Sequence, residues 1–338
     1  MFWDLEVSVL LLVGFAGERL IWWVVFVCFG VFLVEKVDGE VFLVKTSDRA
    51  FGVGRLFGVF DLGGFRGERV ALKANFYSAD PFPASTHLET LGAVVGVLKG
   101  AGVERVVLAE RSGMGVTRRV LEEMGVFGLG ERLGFDVVVL DELPKSEWVA
   151  VRRVGSHWLN GFCVAKCFLD AGRVVQVCCL KTHRFGGHFT LSLKNGVGLV
   201  AKRLPGEVYD YMWELHSSPF QRQMIAEINL HYRVDVVVMD GVRAFVSGGP
   251  ERGDVVEPNL MLASRDRVAL DAVGVAILRL YGAVGHVAKG RIFELDQIRR
   301  AAELGVGVKS AREIRLKPLN DECKADVEKI EQVLAADG

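Results

Sequence analysis

Short apolar runs, each the length of a buried strand, recur along most of the chain between polar, glycine-bearing segments. Residues 41–44, 69–72, 105–109, 136–140, 174–180, 234–239 and 260–263 are such runs, rich in Val and Leu, the composition of strands covered on both faces. Helical patterns with end signals lie between them. Ser47-Asp48 can cap a short helix towards Phe57, and Thr86-x-x-Glu89 has the spacing of a capping box for a helix that stops near Gly100-Ala101-Gly102. A further helix runs through Glu122. Ser218-Pro219 read as N-cap and first position of a helix to Asn229, and a helix from about Val268 to Tyr281 is closed by Gly282. Asp240-Gly241 reads as a turn, and the loop 247–253 as a turn or a flexible rim over a pocket.

Strands alternating with helices predict an α/β fold: mainly parallel sheet, in one domain or two α/β lobes, with helices on both faces. This domain is expected over residues 41–310. The tail 311–338 is charged, and its amphipathic stretch 321–334 predicts a helix docked on the surface.

The N-terminal residues 1–40 follow a different pattern. Residues 7–16 are mostly apolar, Gly17-Glu18-Arg19 interrupts, and 20–34 is an unbroken apolar run of 15 residues. A membrane-spanning helix needs about 20 apolar residues, and a signal peptide needs a basic start. The chain opens Met1-Phe2-Trp3-Asp4 instead. Three readings stay open: a membrane anchor through residues 7–34, an element packed on the domain, or an extension translated from an upstream start.

Composition narrows the function classes. Lys and Arg number 41 against 42 Asp and Glu, a net charge of −1, so no global basic field recruits nucleic acid and a charged partner must be met by a local patch. Six cysteines, at 28, 163, 167, 178, 179 and 323, are irregularly spaced in a chain whose 51% hydrophobic content is ample for a core. Disulfide staples are not needed, and the cytoplasm is the default compartment. Cys163-x-x-x-Cys167 with Cys178-Cys179 fits neither a zinc ribbon nor a ferredoxin run, and adjacent residues of a strand face opposite ways. Buried free thiols are the expectation. Glycine-rich dinucleotide and phosphate-loop signatures, the nucleophile elbow and His-Glu-x-x-His do not occur.

The predicted strands end in residues of chemical use. Lys73, Glu110, Lys181 with His183, Asp240, and Ser264 with Asp266 each follow an apolar run. Ligands of open parallel sheets bind outside the carboxyl ends of the strands, so these residues are expected to line one pocket. Asp266 reads equally as the N-cap of the next helix. The densest stretch is 179–196, where Lys181, Thr182, His183, His188, Thr190, Lys194 and Asn195 surround Gly186-Gly187, a turn whose N–H groups can face an anion. His183 and His188 could grip a divalent metal with a third ligand such as His216, His87 or Asp240.

The segments Leu72-Lys73-Ala74-Asn75-Phe76, Leu180-Lys181-Thr182-His183 with Thr190 and Lys194-Asn195, Val238-Met239-Asp240-Gly241 with Gly248-Gly249-Pro250, and 263–272 resemble, in order and spacing, the family catalogued as domain of unknown function 362. The resemblance covers about residues 41–308. Some members carry a ferredoxin-like insertion with iron–sulfur cysteine motifs; this chain lacks it, so that role is not carried over. Residues 1–34 lie outside the resemblance, which favours an extension. A more distant likeness, from His183 through the Gly-Gly turn to Lys194, is to nickel-pincer lactate racemases, where a histidine and a nearby lysine hold the cofactor; common folds host unrelated functions.

Three function classes follow. One is an enzyme on a small anionic metabolite, with Lys73, Lys181 and Lys194 neutralising charge, His183 as acid/base, and Asp240 orienting it or holding a metal. Asn75, Thr182, Thr190, Asn195, Ser264 and Asp266 would complete its substrate contacts. The others are a metal- or iron–sulfur-linked redox protein and a non-catalytic metabolite-binding module. Nothing in the sequence fixes the oligomeric state.

Overall fold

A computed structural model describes residues 8–16, 19–27, 39–184 and 188–336. It divides into two units, Met1–Glu35 and Lys36–Gly338. In the first, β1 (Ser8–Ala16) and β2 (Arg19–Val27) pair antiparallel from Ser8 opposite Val27 to Ala16 opposite Arg19. The start of the apolar run 20–34 is therefore strand, while 28–34 lies outside the described residues. No helix among the described residues is long and apolar enough to cross a membrane.

The second unit begins with β3 (Glu40–Lys45), α1 (Arg49–Phe57), β4 (Arg69–Lys73), α2 (Leu88–Gly100) and β5 (Arg105–Glu110). It continues through α3 (Thr117–Glu123), α4 (Val126–Leu133), β6 (Asp136–Val139), the hairpin β7 (Trp148–Val151) and β8 (Phe162–Ala165), α5 (Lys166–Leu169) and β9 (Arg173–Thr182). After β9 come β10 (Phe189–Thr190), α6 (Ser192–Asn195), α7 (Tyr211–Ser217), α8 (Gln221–Ile228), β11 (Val236–Phe245), β12 (Val255–Val256), β13 (Leu260–Ser264) and α9 (Arg267–Leu280). The chain finishes with α10 (Asp296–Glu303), β14 (Arg315–Pro318) and α11 (Lys324–Ala335).

The main sheet runs β14-β3-β13-β11-β9-β4-β5-β6, with β10 and β12 appended to β9 and β11. Along the eight-strand path only β13 opposes the others, being antiparallel to both β3 and β11. The predicted α/β class, a mostly parallel sheet covered on both faces, is what the chain adopts. Alternation along the strands builds two sides: Val70, Leu72, Val175 and Val177 pack under α1, α2 and α4, whereas Cys178 and Leu180 pack under α9. On that second side Ala71 and Val174 instead meet β8 and α8.

Local signals acted with small offsets. Asp48 caps α1 as expected, accepting from Phe51 N at 2.9 Å. Thr86 does not cap α2, because its hydroxyl accepts from Asn75 N at 2.9 Å, and His87 Nδ1 takes the cap by accepting from Glu89 N. Ser218 terminates α7, and α8 starts two residues after Pro219. Asp240-Gly241 is no turn: β11 continues to Phe245 past a bulge between Asp240 and Ala244. Glycine fits there because a Cβ on Gly241 would meet Leu260 O at 2.8 Å.

The tail is sheet and core as well as surface. β14 pairs parallel with β3, and Asn320 exchanges hydrogen bonds with the Lys45 backbone at 3.0 and 2.9 Å. Val327, Ile330 and Leu334 of α11 join the same core as α9. Removal of residues 1–35 should leave the second unit folded, with a far-ultraviolet circular dichroism spectrum that keeps its α/β shape and a cooperative thermal transition.

Candidate functional site

β4, β5 and β9 run the same way in adjacent places, so Lys73, Glu110 and Lys181 all lie at the carboxyl end of the sheet. The loop after β9 brings His183 there, and α6 brings Lys194 and Asn195. Together they line a cleft of about 430 Å³ whose wall also includes Arg111 and, at the mouth, the 72% exposed Trp213.

Four lysines line the cleft; Lys202 pairs with Asp141 at 3.2 Å, and the other three have different partners. Lys73 Nζ donates to Glu110 Oε1 and Ala74 O, both at 2.5 Å, and faces Asn195 Oδ1 at 3.4 Å. Glu110 also accepts from Arg111 N at 2.9 Å. Burial pulls Lys73 down and pushes Glu110 up, and each opposes the other's shift. Acceptors around the nitrogen and N–H groups on the carboxylate are the surroundings of an ion pair. Gly198 leaves it room, since a Cβ there would meet Lys73 Nζ at 2.7 Å.

Lys181 is wholly buried and its Nζ donates to Ala84 O. Lys194 Nζ meets His183 Nε2 at 2.5 Å. Burial holds both ammonium groups below the usual lysine range, Lys194 well below it, where Arg222 and Lys181 add repulsion. Arg111 is 4% exposed, donates to Val197 O at 2.6 Å, and leaves its Nε without a partner. Unlike Lys73, none of Lys181, Lys194 and Arg111 has a salt bridge among the described residues. A further buried polar atom of the cleft lining, Thr190 Oγ1, makes no hydrogen bond among the described residues, and Asn75 Nδ2 has the Cys179 thiol beside it.

The cleft thus gathers Lys73, Asn75, Glu110, Lys181, His183, Thr190, Lys194, Asn195 and His216 of the sequence candidates. The remaining candidates lie elsewhere. Asp240 accepts from Arg49 Nε at 2.8 Å and Thr90 Oγ1 at 2.5 Å beneath α1 and α2, so it neither orients His183 nor faces the cleft. Asp266 is the N-cap of α9, accepting from Val268 and Ala269 N, and it also holds Val308 N at 2.8 Å. Ser264 Oγ donates to Glu40 O, and Thr182 Oγ1 donates to Phe245 O.

The histidines do not meet as a metal triad. His188 packs its ring 4.1 Å from His286, and burial with the Arg222 charge lowers it to about 4. His216 Nδ1 must carry a proton, because it donates to Met212 O at 2.6 Å. Among the described residues no three His, Cys, Asp or Glu side chains are placed to hold a metal ion. Cys163, Cys167, Cys178 and Cys179 are free thiols, and burial pushes Cys178 well above the ordinary range and Cys179 up to about 11. Residues 185–187, with the Gly-Gly turn, lie outside the described residues.

Residues 70–276 match the family described as Domain of unknown function (DUF362). The chain belongs to this family. The matched span contains every cleft residue named above. The thylakoid-associated protein sll1697 of Synechocystis is 27% identical over 219 residues, which are 63% of this chain and 64% of that protein; the chain thus spans less than two thirds of that relative. Among solved structures, the lactate racemase apoprotein from Thermoanaerobacterium thermosaccharolyticum is similar with a TM-score of 0.39 and 15% identity, over 78% of this chain and 62% of that one. Nothing about the chemistry of the cleft follows from so loose a likeness.

Two residues of this DUF362 chain escaped the sequence reading. Arg111 follows Glu110 at the end of β5, and the rule that found Lys73 would have found it. Asp271 sits among apolar neighbours in α9, a mid-helix acid with a signal of its own. It is wholly buried and accepts from Ser192 N at 2.7 Å, Ser192 Oγ at 2.5 Å and Leu193 N at 3.1 Å, so it caps the helix that carries Lys194. From the other side Asn229 Nδ2 donates to Leu193 O at 3.0 Å. Burial raises Asp271 to about 7, above its ordinary 3.8. Its folded form therefore binds more protons than the unfolded chain between those values, and its share of stability falls as pH rises through that window. Asp271→Ala strands the buried N–H groups of Ser192 and Leu193, while Ser192 Oγ keeps Arg267 O, and should lower stability by about 2–4 kcal/mol, measurable by chemical denaturation.

Proposed function

We propose that the cleft binds a small anionic metabolite and exchanges a proton with it through His183 and Lys194. The observation that carries this reading is the surplus of donors. Lys181, Lys194 and Arg111 line one cleft with no salt bridge among the described residues, beside the unsatisfied Arg111 Nε and Thr190 Oγ1. The acids of the lining are already engaged: Glu110 by Lys73, and Asp210 by Arg203 and the N–H groups of Met212 and Trp213. A carboxylate or phosphate would satisfy the donors and offset the cost of burying the cations.

A pure binding module could use the same cations. The His183–Lys194 contact favours an enzyme, because two nitrogens 2.5 Å apart share one proton and anion binding by itself needs no such pair. A cluster-bearing redox protein finds less support, since the thiols are pushed away from the thiolate form that metals bind.

Lys181→Met keeps the volume and removes a buried charge, so it should hold or raise the melting temperature while abolishing the upward shift that carboxylates and phosphates give the wild type. Loss of stability with the ligand shift intact would remove Lys181 from the site. The pH dependence has a definite sign. Folded Lys181 and Lys194 lose their protons below the unfolded value of 10.5, so across that window the unfolded chain binds more protons and stability without ligand rises with pH. Anion affinity should fall as Lys181 loses its proton, because its ammonium form is what the ligand meets; melting with and without phosphate along an alkaline pH series reads both.

A further inference from the structure

We propose that Lys194 is the nucleophile of the cleft and forms an imine with the carbonyl carbon of a small 2-oxo acid whose carboxylate is held by Lys181. The proposal deepens the anion-binding reading and rests on it.

Geometry separates the three lysines. Lys73 is engaged with Glu110, Ala74 O and Asn195, all acceptors that favour its charged form. Lys181 donates to the Ala84 carbonyl, which cannot remove a proton. Lys194 Nζ instead touches an imidazole nitrogen, His183 Nε2, a group able both to accept a proton and to return it. No carboxylate pairs with Lys194 among the described residues, so its ammonium form has no opposite charge to keep it. Burial and the charges of Arg222 and Lys181 favour the free amine, the form that attacks carbonyls. Lys181 and Lys194 line the same cleft, so an anion seated on Lys181 lies in the space that the Lys194 amine also faces.

The step balances without an oxidant or a metal. The Nζ lone pair forms the C–N bond as the carbonyl π pair moves to oxygen. Two protons leave the nitrogen in turn for His183 Nε2, one on attack and one on dehydration, and the same imidazole delivers each to the oxygen, first as the carbinolamine hydroxyl and then as water. The C–O bond breaks, water leaves, and an amine plus a ketone has become an imine plus water. Protonated, that imine draws electrons from the neighbouring carbon, which is how such adducts promote proton or carbon dioxide loss.

The test uses the full chain with pyruvate as the probe, lactate as the carbonyl-free control, and borohydride to reduce any imine to a stable amine. Intact mass should show one adduct with pyruvate and none with lactate, and peptide mapping of the wild type should place it on Lys194. Lys194→Arg should lose the adduct while keeping a cooperative melt, and His183→Gln should slow its formation. An adduct confined to other lysines overturns the proposal. So does a pyruvate-induced rise in melting temperature with nothing trapped at Lys194, and the anion-binding reading then survives. Where neither pyruvate, lactate nor phosphate changes the melting temperature, the anion-binding reading fails and the imine falls with it.

Discussion

Three lysines reach the carboxyl-end side of one sheet, and only Lys73 meets a carboxylate there. Taking an ammonium out of water is costly unless opposite charge or full hydrogen bonding replaces the lost hydration. Glu110 supplies that for Lys73. Lys181 has a backbone carbonyl and Lys194 an imidazole, so both sit on the uncompensated side of the balance. The surrounding structure holds this arrangement in place: Gly198 admits the Lys73 amine, Asp271 and Asn229 fix α6 from two sides, and a core over both faces of the sheet excludes water behind them.

Rigidity is concentrated where the polar groups need it. α6 has only four residues, too few to be stable by itself. Its position is imposed by tertiary hydrogen bonds, above all from the buried carboxylate of Asp271, which takes the N–H groups of Ser192 and Leu193 just ahead of the lysine it places. Arg267 and Tyr232 extend the framework, each bonding to Asn229 Oδ1. A chain of buried polar contacts thus runs from α9 through α8 to the cleft wall.

The sheet and its helices were legible because apolar runs of strand length and cap residues are local signals. The cleft was legible in part for the same reason: Lys73, Glu110 and Lys181 follow or close such runs. The same rule also chose Asp240, Ser264 and Asp266, since a polar residue ends a strand for more than one cause. Asp266 starts a helix, Ser264 ties down a neighbouring backbone carbonyl, and Asp240 sits at a bulge inside a strand that goes on. Which cause operates depends on contacts more than a hundred residues away, such as Arg49 and Thr90 for Asp240. The placing of α6 by Asp271 is non-local in the same way, and no spacing rule reveals it.

The pairing of β14 with β3 joins residues about 275 positions apart, as the Asn320–Lys45 hydrogen bond marks. During synthesis β3 emerges early and its outer edge stays open until nearly the whole domain has left the ribosome. An open strand edge is a template for pairing with other chains, and contacts this distant in sequence form late. The charged C-terminal segment therefore acts as a closing strip: until it is made, the nascent domain presents one adhesive flank, and cotranslational protection by chaperones would matter most in that interval.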